Sequence, residues 1–155
     1  MAYKRINLII RNLYEFIKEK IEDEGYEIGD EAEKMGLFDA FPVEEFNLPA
    51  ISIDFVTSLP MIEADLGYSA KRRYPMVIDI FARNKLERDN LISVLVDALE
   101  KNAIALKDYN QATPTRIVTM RFEDIGGSTV RIVSIGAEQE NRGKVSFVAS
   151  IESEY

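Results

Sequence analysis

The stretch MVIDIFARNKLERDNLISVLVDALEKN, residues 76–102, places a strand and a helix back to back with almost no loop between them. Met76, Ile78, Ile80 and Ala82 fall on one side of an extended chain, and Val77, Asp79, Phe81 and Arg83 on the other. Both sides are partly apolar, which predicts an inner strand of a sheet. Asn84 then offers an N-cap oxygen, with Glu87 three positions later to answer it. Leu91, Ile92, Leu95, Val96 and Leu99 form the apolar stripe of a helix over 85–101, which Lys101 and Asn102 end. The corner "FARNKLER" has no glycine. A phosphate cradle needs glycines so that backbone N–H groups can approach the anion. The corner therefore reads as structural, with only the unspecific anion affinity of a helix N-terminus.

The remaining elements arrange themselves around this unit. Ile6, Ile9, Ile10, Leu13, Phe16, Ile17 and Ile21 recur at three- and four-residue steps, predicting an amphipathic helix over 3–24 that Gly25 stops. Residues 22–47 carry Gly29, Gly36, Pro42 and Pro49 close by and no sustained period, so a loop is expected, with a short helical turn starting at Asp30. "AISIDFV" (50–56) alternates as a half-buried strand, and residues 57–75 read as a long connection. "TRIVTMRFEDI" (115–125) is a further strand, Gly126-Gly127 marks a turn, and "TVRIVSI" suggests a short strand. "KVSFVASIE" (144–152) alternates again. The order α-β-β-α-β-(β)-β predicts an α+β single domain over 1–155. Its mostly antiparallel sheet of four or five strands carries two main helices on one face. The other face is left for solvent or a neighbouring subunit.

Charge and composition narrow the chemistry. Cysteine and histidine are both absent, which removes disulfides, thiolate nucleophiles and Cys/His zinc sites, and also the commonest acid–base side chain near pH 7. No cofactor is expected. Residues 22–47 hold ten carboxylates against one base, Lys34, and so carry −9 of a net −8, leaving the rest at +1. Duplex binding needs a basic stripe that displaces counterions, and none exists. No apolar run of about 18 residues suggests a membrane span. The N-terminus lacks the continuous apolar core of a signal peptide, so synthesis in a cytoplasm is expected.

Several clusters invite a functional reading. The dense acids of "EDEGYEIGDEAE", including Asp30, Glu31 and Glu33, do not follow the spacing of a calcium loop and read as a solvated acidic loop or a charged contact surface. Lys71, Arg72 and Arg73 are the one run of three bases. They are either a solvated loop or a patch that meets the acids of an adjacent subunit, where arginine forks suit carboxylates. A lesser alternative is contact with a DNA backbone. Asp79, Phe81 and Arg83, on the side of the strand expected to face away from the core, are further candidate subunit or partner contacts. Asp54 and Asp79 could act as an acid–base pair, or simply be strand carboxylates on a wet or subunit-facing side.

The assembled pattern resembles the tail terminator (tail completion, or tail-to-head joining) proteins of long-tailed bacteriophages. An amphipathic first helix precedes "LPAISIDFV". A connection containing "DLGYSAKRRYP" leads to "MVIDIFARNKLERDNLISVLVDALEKNAIALKDYN", and "ENRGKVSFVASIE" closes the chain. The combination "IDIFA-N--ERD-L---V-DAL" followed by "L-DY" carries most of the likeness, and the acidic segment 22–47 the least. The resemblance implies a non-enzymatic virion protein, assembled in the host cytoplasm. It would form a homo-oligomeric ring, typically a hexamer, on the last ring of the tail tube. There it would stop tube polymerisation and offer a docking surface to the head connector, with DNA passing through without specific binding. A neck or adaptor protein of the same joint is the nearest variant. A small carboxylate-dependent enzyme and an acidic binding module are the readings from other classes.

Overall fold

The computed structural model describes residues 2–31, 33–39, 46–56, 62–65, 69–107, 116–129 and 141–154. They form two helices, α1 (Ala2–Asp23) and α2 (Lys85–Lys101), and seven strands. The strands are β1 (Gly36–Phe38), β2 (Ala50–Phe55), β3 (Ile62–Asp65), β4 (Ser69–Phe81), β5 (Ile104–Lys107), β6 (Arg116–Thr129) and β7 (Arg142–Glu154). The α+β class and the two helices agree with the sequence reading. The sheet is larger than the four or five strands expected, and it is mixed, because β1 joins β2 in parallel.

The sheet runs β1-β2-β4-β7-β6-β5, and β3 pairs with the first half of β4. β4 is its spine. Residues 76–81 pair with β2 and residues 70–73 with β3, both antiparallel and on the same side, while β7 accompanies β4 from Ser69 to Phe81 on the other. Most of the expected connection 57–75 is thus strand, and residues 57–61 and 66–68 lie outside the described residues. Pro75 survives inside β4 because of where its missing N–H falls. Its carbonyl accepts from the Val56 N–H at 3.0 Å, just past the end of β2, so only the return bond of that last pair is forfeited.

Both helices cover one face. Ile9, Leu13, Ile17 and Ile21 of α1 and Leu91, Leu95 and Leu99 of α2 are buried. They join one cluster with Ile51 and Ile53 of β2, Met76, Ile78 and Ile80 of β4, and Val145, Phe147, Ala149 and Ile151 of β7. Gly25 ends α1 as expected: its φ of 94° is a left-handed value, and the N–H of Tyr26 returns to the Ile21 carbonyl at 3.3 Å. α2 begins on Asn84, whose side-chain oxygen accepts from the Glu87 N–H at 2.9 Å.

β6 departs from expectation. It does not turn at Gly126-Gly127 but continues to Thr129, absorbing a register shift between Glu123 and Gly126 with Asp124 at φ 52°. Such a bulge bends a strand without ending it, and Asp tolerates the left-handed value. Next to Asp30, where a short helical turn is expected, a single turn closes from the Lys34 N–H to the Glu31 carbonyl at 3.0 Å. Within the supposed loop, Ile28 bridges Met35 and leads into β1. The further strand expected in "TVRIVSI" falls, beyond Thr129, outside the described residues.

Candidate functional site

The helix-free face of the sheet gathers the candidate residues of β4. By strand alternation Arg73, Pro75, Val77, Asp79 and Phe81 point to it, and register places Ser150, Val148, Ser146, Lys144 and Arg142 of β7 beside them in turn. Its two ends differ. At the β4 C-terminal end, Asp79 is buried and accepts from Arg142 Nη2 at 2.8 Å. The Arg142 guanidinium lies 5.2 Å from the Phe81 ring centre, and Phe46 meets the same ring edge-on at 4.9 Å. Phe46 also meets Phe38 of β1 at 6.0 Å. So Phe46, shortly before β2, covers this corner of the face. The expectation of an uncovered second face is corrected there, because the Phe46 ring packs on Phe81.

Further along, the face opens into a shallow groove with Val56, Pro75, Val77 and Val148 half buried in its floor. Asp124 and Lys144 stand at its rim. Beyond it, Arg73 is engaged within its own chain, with Nε 3.2 Å from Glu123 and Nη2 2.8 Å from Asp124. Lys71 and Arg72 continue β4 opposite Ala64 and Glu63 of β3; their side chains lie outside the described set.

Asp54 and Asp79 share this face but do not converge. Asp54 Oδ1 accepts from the following N–H of Phe55 at 2.8 Å, while Asp79 is held by Arg142. Among the described residues no three carboxylates come together to hold a metal ion.

A second constellation sits at the strand–helix corner. Glu87 accepts from the Arg83 N–H at 2.9 Å, from the Arg83 guanidinium, and from the Tyr26 hydroxyl at 3.0 Å. The carboxylate reaches past Asn84 to the residue before it, a variant of the expected capping pair. Burial alone would raise the Glu87 carboxyl. The hydrogen bonds of the Arg83 side chain and backbone, then that of Tyr26, outweigh burial and hold it below its ordinary value. The Arg83 guanidinium is raised in return, first by its hydrogen bond to Glu87. Burial, then the bond to Glu87 and its charge, push the Tyr26 phenol up to about 12. Sequence reasoning missed Tyr26. Its position just after Gly25 was the available signal, because a residue after a C-cap commonly packs back on its neighbours.

Tyr26 therefore ties the root of the acidic segment to the start of α2. Asp30, Glu31 and Glu33 lie just beyond it and are exposed, with Glu31 3.6 Å from Lys34. They stand apart from Lys71–Arg73, which occupy the other end of β4. The phenol has a pH consequence. A group whose folded value is raised stabilises the fold below its unfolded value, about 10, and loses that contribution as pH rises through about 12. Tyr26→Phe should cost about 1–2 kcal/mol at pH 8, from the lost bond to a carboxylate. That gap to wild type should close between pH 10 and 12. Urea midpoints across the range give the measurement, and a gap independent of pH would refute the linkage. Glu87 works in the opposite sense: its contribution is present above about pH 4.3 and is lost as pH falls through its lowered folded value.

No protein-family model matches the chain, and no curated protein matches it.

Proposed function

We propose that this chain is a ring-forming virion assembly protein that terminates the phage tail tube and joins it to the head connector. The observation that carries the reading is the helix-free sheet face, with Val56, Pro75, Val77 and Val148 half exposed between the Arg73–Glu123/Asp124 and Arg142–Asp79 ion pairs. A half-buried apolar strip framed by fixed charges suits a heterologous contact with the next subunit, in which packing supplies affinity and charge sets register. The polarity of the subunit also supports it. Arg72 and Phe81 are nine residues apart on β4, about 30 Å in a strand. The run of bases therefore lies far from the corner beside the acidic turn, and a joint between two different structures needs two different ends. In this reading the excess acid keeps the channel from adhering to passing DNA.

The test is assembly. At high concentration, or with tail tubes present, the protein should form closed rings of about six copies by native mass spectrometry and electron microscopy. Val77→Glu, on the groove floor, should abolish the rings and leave far-ultraviolet circular dichroism unchanged. A protein that stays monomeric and never caps purified tubes overturns the proposal.

A further inference from the structure

We draw no further inference here: the strongest candidate, the groove on the helix-free sheet face floored by Val56, Pro75, Val77 and Val148, belongs to the contact surface already proposed, and nothing among the described residues shows what covers it.

Discussion

Replacing Arg142 with Met should cost about 3–5 kcal/mol of folding stability, because it leaves Asp79 buried without its partner. The Asp79 side chain is 8% exposed and accepts from Arg142 Nη2 at 2.8 Å. Met conserves the length over Phe81, so the loss isolates the charge rather than the packing. Lys144 stands opposite Asp79 in the β4–β7 register and can damp the loss, which favours the lower part of the range. The double variant Asp79→Leu, Arg142→Met should recover most of it, since a buried ion pair replaced by apolar groups of similar size is often neutral. Urea midpoints at constant slope measure both. A single variant costing under about 1 kcal/mol would mean that the pair behaves as a solvated surface bridge.

That pair also marks a limit on what could be read beforehand. Asp79 is visible as a strand carboxylate, but its partner lies 63 residues away on β7. Nothing local in either segment encodes that register. Local signals did define α2, whose cap, stripe and end lie where expected. The same holds for the buried stripe of α1 and for the cores of β2 and β7, where periodicity follows burial. The missed strands were β1, β3 and β5, at three or four residues each too short to show a period. They exist because longer neighbours offer an edge to pair with. β4 starts seven residues before the alternation suggests, because Lys71-Arg72-Arg73 followed by Pro75 has the composition of a loop; yet three bases can extend beyond a core, and the proline falls at the gap between β2 and β3. Of the candidate contacts, Asp79 and Phe81 could be placed on one face by alternation; Arg73 could not, because it lies in what reads as the connection before the strand. The Tyr26–Glu87–Arg83 cluster could not, because it depends on how α1 returns to α2.

Gly127 shows the same difficulty in its sharpest form, and it carries the second large effect. A Gly-Gly pair read as a turn is instead a place where α2 lies directly on the sheet. A Cβ at Gly127 would sit 2.4 Å from Ile92 Cγ2 and 3.4 Å from Val96 Cγ2, and one at Gly143 2.7 Å from Ile92 Cδ1. The two glycines, on adjacent strands, form a shallow seat for Ile92. Cγ2 branches at the Cβ of Ile92, so it cannot swing clear as the end of a long side chain would; the helix itself has to lift. Gly127→Ala should therefore destabilise by about 1–3 kcal/mol, the usual cost of overpacking, although alanine would ordinarily favour a strand over glycine. Ile92→Ala removes the obstructing atom, at its own cost in lost burial. In that background Gly127→Ala should become neutral or slightly stabilising, and the double-mutant cycle should show a coupling of about 1–3 kcal/mol. Additive costs, with no coupling between the two sites, would mean that α2 does not rest on β6 at this point.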